Sequence, residues 1–292
     1  MNENTEIKKK AARLSIMSNS FLILIKITSG IISGSVSIIS EAIHSGLDLV
    51  ASLIAFVAVR ISDKPADEQH PYGHGKFENV SGVIESLLIF AAAVWIIYEA
   101  VHKMLNPSNP LEDSGVMLGV VIMFLSAVIN FFVSRHLYKV AKQTSSVALE
   151  ADALHLKTDI YTSLGVSLGL LLLYLTSWHF LDALIAVMVA LLIIYEAFKM
   201  LTKSFNPLLD SNLPKHDIEK IRSVIEKHLS DGFSCKQLRT RQSGQKNIIE
   251  FTLLTPSDMS VSEAYKQLKH LKKEIAAKFS SAEIIVVTEP RD

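Results

Sequence analysis

The sequence predicts an α-helical membrane protein: a six-helix transmembrane bundle followed by a C-terminal cytosolic α+β domain. Two observations support this fold class. Apolar residues make up 49% of the chain, and before residue 207 they gather into six long segments. Beyond that position charged residues become frequent, and the apolar runs shorten to the length of strands and amphipathic helices. We therefore expect a membrane domain over 1–206 and a soluble domain over 207–292.

Each of the six segments is long enough to cross a bilayer, which takes roughly 20 mostly apolar residues. Lys and Arg occur in the N-terminal tail, in the 62–78 loop and in the 138–145 connection, but hardly at all in the links on the other side. This asymmetry predicts that both termini lie in the cytosol, and the chain would sit in the cell membrane, the inner one in a Gram-negative cell. The expected spans are 12–33, 36–61, 79–104, 113–137, 146–176 and 179–203.

The soluble part is predicted to have the element order αββαβ of a small two-layer, ferredoxin-like domain. Residues 214–229 have helical periodicity, and a likely turn at 243–245 would join two strands into a hairpin. Ser260 and Glu263 form a capping box that opens a second helix, and EIIVV at 283–287 is a final strand. The single cysteine excludes an intramolecular disulfide, and zero net charge without a dense basic patch gives no support for nucleic-acid binding.

The second span contains EAIHSGLD (41–48), which is unusual because a charge at the bilayer centre costs at least about 2.5 kcal/mol. Glu41, His44 and Asp48 are spaced i, i+3 and i+7, which places all three on one face of a helix. Residues of this kind usually face the interior of a bundle and mark a path for ions.

The fifth span repeats the pattern in DALHLKTD (152–159), with Asp152, His155 and Asp159 at the same intervals. Two helices that each offer His-x-x-x-Asp on one face can converge on one point. Two imidazoles and two carboxylates complete the tetrahedral shell that Zn²⁺ prefers, and the two carboxylates neutralise the ion. The sequence therefore predicts an intramembrane zinc site formed by His44, Asp48, His155 and Asp159.

Glu41 and Asp152, the first residues of the two motifs, leave two interpretations open. They could form the exit and entry path of the metal, or they could be hydrogen-bonded groups that support the ligands. Single polar residues in other spans are most often helix–helix hydrogen bonds, which is the expectation for Glu85, Asn130 and Asp182.

A second group of metal-binding side chains occurs in the cytosolic loop KPADEQHPYGHGKFENV (64–80). Asp67, His70 and His74 supply three good zinc ligands within eight residues. Pro71 and the neighbouring glycines oppose a regular helix, so turns would have to bring the ligands together. On spacing alone, such a loop is more often solvated surface.

Four motifs together resemble the cation diffusion facilitator (CDF) family, in particular its bacterial zinc exporters of the FieF/YiiP type. They are HSGLD (44–48), PADEQHPYGHGKFE (65–78), EADALHLKTD (150–159) and LRTRQSG (238–244). The resemblance covers nearly the whole chain. It implies a homodimeric secondary transporter and not an enzyme. Such a protein would export Zn²⁺ from the cytosol in exchange for protons, and Fe²⁺ and Co²⁺ are possible alternative substrates.

The resemblance also implies roles for particular residues. His44, Asp48, His155 and Asp159 match the transport site, and Asp67, His70 and His74 match a loop site. Lys76 and Asp210 match a charge pair that locks the dimer, and 207–292 match a dimerisation domain.

The sequence departs from the family in two places. Close relatives have Asp at the position of His44, and the extra imidazole favours zinc over harder ions. Relatives also bind a zinc pair in the cytosolic domain, whereas the matching positions here are Lys236, Thr252, Tyr265 and Val287. We therefore expect a domain that dimerises but binds metal weakly or not at all.

Proton coupling follows from the ligand chemistry, because metal binds the neutral imidazole and the ionised carboxylate and so competes with protons. Two alternative functions remain. An intramembrane zinc-dependent enzyme would usually keep an open metal position, and no HExxH motif occurs. A passive metal channel would conduct metal independently of a pH gradient.

Overall fold

The computed structural model describes residues 3–33, 36–105, 113–176, 179–229, 232–244, 246–279 and 282–291. The chain forms two compact units, Met1–Phe205 and Asn206–Asp292. Each unit has its own buried apolar clusters and is described separately below.

The first unit consists of six long helices, in agreement with the positions of the six predicted spans. They are α1 (Glu3–Ser33), α2 (Val36–Ser62), α3 (Lys76–Leu105), α4 (Asp113–Thr144), α5 (Val147–Thr176) and α6 (His179–Phe205). Among the described residues, three stretches are long and apolar enough to cross a membrane: Asn4–Ser29, Lys76–His102 and Val121–Thr144. The crossing of all six helices stays a prediction.

Two helices extend well beyond the predicted spans. Helix α4 continues through most of the predicted 138–145 connection to Thr144, because apolar content locates a span and good helix formers such as Lys and Ala carry the helix past it. For the same reason α1 already begins at Glu3, within the charged tail.

Helix α5 packs against α2, α3, α4 and α6 and so occupies the centre of this unit. The polarity of the unit is the reverse of that in a water-soluble protein. Serines, asparagines and acids are buried, whereas large apolar side chains such as Phe21, Trp95, Phe132 and Phe198 are more than half exposed. This distribution suits a bundle whose outer surface meets lipid and whose helices are held together by small and polar residues.

Gly82 permits the close approach of α3 to α5 and α6. A Cβ atom at this position would collide with the Ser204 hydroxyl of α6, and it would lie 3.0 Å from Val147 Cγ1 of α5. The beginnings of α3 and α5 are therefore in direct contact, and Ile89 of α3 packs further along in the same apolar cluster as Leu154 of α5. The two helices run side by side in the same direction.

The second unit begins with a short 3₁₀ helix at Asn206–Leu209 and then follows the predicted αββαβ order. The elements are α7 (Lys215–His228), β1 (Ser234–Ser243), β2 (Lys246–Thr255), α8 (Val261–Lys278) and β3 (Ala282–Pro290). Strand β1 pairs antiparallel with β2, and β2 pairs parallel with β3, so α8 is the crossover that a parallel pair requires. The predicted capping box is confirmed, since the Ser260 side chain and the Glu263 side chain each bond the other's backbone N–H.

Candidate metal centres

Asp48 of α2 and His155 and Asp159 of α5 form one cluster, called here the deep cluster. Each residue offers a ligand atom within 4.8 Å of the other two. His155 Nε2 lies 3.1 Å from Asp48 Oδ1, and the three residues are 6–9% exposed. His155 and Asp159 are one helical turn apart on α5, so the i, i+4 spacing read from the sequence does place them side by side.

A network of small polar side chains fixes the backbone around Asp48. The Ser52 hydroxyl lies 3.1 Å from the Asp48 carbonyl oxygen and 3.2 Å from Asp152 Oδ1, and it accepts a hydrogen bond of 2.6 Å from the Asn19 amide. The Ser15 and Ser52 hydroxyls are 3.0 Å apart. Helices α1, α2 and α5 thus meet at one buried serine, which limits the freedom of the helix turn that carries Asp48.

The donor set of the deep cluster suits a divalent cation. Two carboxylates supply two negative charges and imidazole nitrogen is a preferred zinc ligand, so the ion could lose its water without leaving net charge buried. The side chains of His44 and Glu41 lie outside the described residues. His44 occupies the position one helical turn before Asp48 on α2, and the predicted fourth ligand therefore stays a prediction.

Asp152 is fully buried, one turn before His155 on α5, and bonds Ser52 through Oδ1. Glu85 of α3 is fully buried as well. We had expected Glu85 to bond another helix, but its Oε1 accepts from Ser81 of its own helix at 2.9 Å. Asn130 has a buried carbonyl oxygen for which the described residues provide no hydrogen-bond partner, and Asp182 lies outside the residues whose side chains are described.

Asp67, His70 and His74 form the second cluster, called here the loop cluster, between α2 and α3. Their ligand atoms lie within 4.8 Å of one another, so the loop brings together all three residues singled out in the sequence. His70 Nδ1 is 3.2 Å from Asp67 Oδ1, and His74 Nε2 is 3.3 Å from Asp67 Oδ2. Turns achieve this, as expected: the backbone N–H of Gly73, at φ +84°, bonds the His70 carbonyl.

The charge on Asp67 is stabilised by its own loop. The backbone N–H of His70 donates to Asp67 Oδ1 at 2.6 Å, and this bond is the main reason that the pKa of Asp67 lies below its usual range. The His70 side chain and the nearby imidazoles lower the pKa further, while partial desolvation opposes them. Asp67 is therefore ionised and ready to bind a cation at any physiological pH.

One functional arrangement was missed in the sequence. The sequence suggests only that Lys8 is one of the charges of the N-terminal tail, yet its side chain is fully buried. Its Nζ lies 2.8 Å from Asp63 Oδ1 and 3.0 Å from Glu78 Oε1. Glu78 also accepts from the Ser62 and Ser146 hydroxyls, at 2.9 Å and 2.6 Å. These five residues are called the Lys8 network. A run of three lysines in sequence gives no sign of which one turns inward.

The remaining predicted residues lie in different units or outside the clusters. Lys76 begins α3 in the first unit, whereas Asp210 belongs to the second unit, where its Oδ1 is 3.3 Å from Arg241 Nη1. Their pairing across the dimer stays a prediction. Lys236, Thr252 and Val287 are direct neighbours across the three strands. Of the two metal-ligand clusters found among the described residues, neither lies in 206–292.

A buried acid–imidazole cluster within a bundle of long apolar helices indicates a membrane protein that handles cations. Comparison with known families agrees. Residues 12–209 match the cation efflux transmembrane domain, and residues 213–291 match the cytoplasmic domain of cation efflux proteins. The chain belongs to the cation efflux family and is a membrane transporter of metal ions.

Individual relatives are similar over almost their full length. The cation-efflux pump FieF of Shewanella oneidensis is 33% identical over 97% of this chain and 94% of its own. FieF of Citrobacter koseri is 30% identical over 96% of this chain and 92% of its own. An uncharacterized transporter of Synechocystis sp. is 32% identical over 91% of this chain and 85% of its own.

Proposed function

We propose that this protein is a proton-coupled antiporter that exports divalent metal, Zn²⁺ above all, from the cytosol. The observation that carries the proposal is the deep cluster, in which Asp48, His155 and Asp159 meet at the contact of α2 and α5. His44 would supply the fourth ligand and complete a tetrahedral shell of two imidazoles and two carboxylates. Fe²⁺ and Co²⁺ are the alternative substrates to compare.

Proton coupling follows from the same ligands. Zn²⁺ binds imidazole and carboxylate only after they lose their protons, so metal and protons exclude each other at one site. Metal would bind when the cluster is open to the cytosol, and protons would displace it when the cluster is open to the other side. Rocking of the helices around a fixed site would supply the alternating access.

The proposal assigns 1–206 as the transport domain, crossing the membrane six times with both termini in the cytosol, and 207–292 as a dimerisation domain. The match of residues 213–291 to the family's cytoplasmic domain supports a homodimer. In that dimer Lys76 of one protomer would pair with Asp210, and the loop cluster would bind a second Zn²⁺ outside the membrane. Glu41 and Asp152 would line the path to and from the deep cluster.

Zinc uptake into proteoliposomes tests this function. Wild type should accumulate Zn²⁺ only when the vesicle interior is more acidic than the outside, so that protons can leave in exchange. Asp48→Ala and Asp159→Ala should each abolish uptake. Glu150→Gln serves as a matched control, because Glu150 lies on α5 but pairs with Lys203 at 2.5 Å instead of facing the cluster. Zinc flux that does not depend on the pH gradient would indicate a channel. Flux that persists in both Ala variants would contradict the assignment of the deep cluster as the transport site.

A further inference from the structure

Within the described part of the chain, two fully buried carboxylates outside the deep cluster, those of Glu85 and Asp152, each have one oxygen without a hydrogen-bond partner. Glu85 Oε1 accepts from Ser81 and Asp152 Oδ1 bonds Ser52, but Glu85 Oε2 and Asp152 Oδ2 have no hydrogen-bond partner. Within the described part of the chain neither carboxylate forms an ion pair with Lys or Arg. A buried polar oxygen without a partner destabilises the fold, and it does so more strongly if it is charged.

The two side chains lie at the same level of neighbouring helices. Glu78 of α3 bonds Ser146, which immediately precedes α5, so the two helices begin at a common height. Glu85 is seven residues beyond Glu78, and Asp152 is six residues beyond Ser146. At 1.5 Å per residue both lie about 10 Å along their helices, and His155 lies roughly one further turn along α5.

If both carboxylates lose their protons, their two like charges repel each other, and each is costly to remove from water. A divalent cation would cancel both charges and occupy both unsatisfied oxygens.

We propose that Glu85 and Asp152 form a second divalent-cation site between α3 and α5, which the metal occupies before it enters the deep cluster. The inference deepens the proposed function and rests on it for the direction of travel. Only oxygen ligands are provided by these two residues, so binding of Zn²⁺ should be weaker here than at a site with imidazole. The metal would move from the weaker to the stronger site as it leaves the cytosol.

Metal binding by the full-length chain in lipid nanodiscs tests the site without any need for transport. Asp48→Ala with Asp159→Ala disables the deep cluster, and Asp67→Ala disables the loop cluster. We expect this triple variant to retain one Co²⁺ per protomer in equilibrium dialysis. Adding Glu85→Gln, or separately Asp152→Asn, should weaken the retained binding at least tenfold, whereas adding Glu150→Gln should leave it unchanged.

The outcomes separate this inference from the proposed function. If the triple variant retains no Co²⁺, or if binding survives both Glu85→Gln and Asp152→Asn, the second site does not exist, even if wild type proves to be an antiporter. Loss of binding in both variants supports the site even if no proton coupling is found. Both substitutions keep shape and remove a buried charge, and a thermal unfolding curve for each variant confirms that it is folded.

In the otherwise intact chain, Glu85→Gln should raise the Zn²⁺ concentration for half-maximal uptake about tenfold and change the maximal rate little. An unchanged half-saturating concentration would overturn the role of the pair in metal entry.

Discussion

His74 shows how single atoms prepare the loop cluster for a cation. Its Nδ1 lies 3.2 Å from the Pro65 carbonyl oxygen, which can only accept, so the ring proton belongs on Nδ1. Nε2 then directs its lone pair at Asp67 Oδ2, 3.3 Å away. Two acceptors that face each other at this distance need a proton or a metal ion between them. The loop cluster is therefore arranged for one or the other.

The lowered pKa of Asp67 leads to a prediction at the same scale. A carboxylate with a lowered pKa keeps its charge throughout the ordinary titration range of Asp and loses it only at a lower pH. Between pH 5.5 and 7, metal binding to the loop cluster should therefore release no proton from Asp67. Calorimetry of Zn²⁺ binding in buffers of different ionisation enthalpy counts the released protons, in the chain with Asp48→Ala and Asp159→Ala.

Asp67→Asn should weaken Zn²⁺ binding at least tenfold and leave the number of released protons unchanged. Glu68→Gln, at the next position and outside the cluster, is the matched control and should change neither quantity. A fall of one released proton in Asp67→Asn would contradict the prediction, since Asp67 would then titrate in this range.

At the scale of the elements, the Lys8 network ties four parts of the first unit together. Lys8 belongs to α1 and Glu78 to α3. Ser62 is the last residue of α2 and Asp63 follows it, while Ser146 directly precedes α5. Glu78 and the Lys8 side chain are both fully buried. The network therefore holds the helix ends that flank the loop cluster.

Removing the lysine should be costly. Lys8→Met would remove the Lys8 ammonium from the buried Glu78 carboxylate, and breaking a buried pair in this way typically costs about 3–5 kcal/mol. Lys9→Met is the matched control. Among the described residues Lys9 pairs only with Glu6, at 4.0 Å near the surface, so its loss should cost less than about 0.5 kcal/mol. Equilibrium unfolding in detergent measures both.

A second change identifies the cause. Glu78→Gln in the Lys8→Met background removes the stranded charge and should restore part of the lost free energy of unfolding. Equal losses in Lys8→Met and Lys9→Met, or no gain from Glu78→Gln, would show that the network does not hold the helix ends.

At the scale of the whole molecule, polarity divides the chain into a part suited to lipid and a part suited to water. In the first unit the buried residues are polar or small and the exposed ones are often large and apolar. In the second unit an apolar cluster that includes Ile225, Ile249 and Leu271 is buried beneath a charged surface, as in a water-soluble domain. The position of the second unit relative to the membrane can be measured with the single cysteine, Cys235.

Cys235 is half-buried, and this burial raises the pKa of its thiol. The reactive thiolate is therefore scarce at pH 7 and becomes more abundant as the pH rises, so labelling is best done near pH 9. A membrane-impermeant thiol reagent should label inverted membrane vesicles and leave sealed right-side-out cells unlabelled. Cys235→Ser controls for background, and labelling of sealed cells would place the second unit outside the cytosol.

Local patterns in the sequence were enough to predict the six long helices, the αββαβ order and the two His- and Asp-bearing motifs. Helical spacing is a local property, so His155 and Asp159 could be placed on one face of α5 without knowledge of the neighbouring helices. The loop cluster was predicted with less support, because the glycine at position 73 and the turns around it decide whether three ligands within eight residues meet.

Only the tertiary structure decided what lies between helices. The sequence by itself determined the membrane domain, its intramembrane acids and imidazoles, and the family resemblance, because each is written in spacing along a single segment. The inward turn of Lys8 and the equal height of Glu85 and Asp152 depend on how α1, α3 and α5 pack. The Lys8–Glu78 contact joins residues that are 70 positions apart, and the free energy of burial that selects it is a property of the packed bundle.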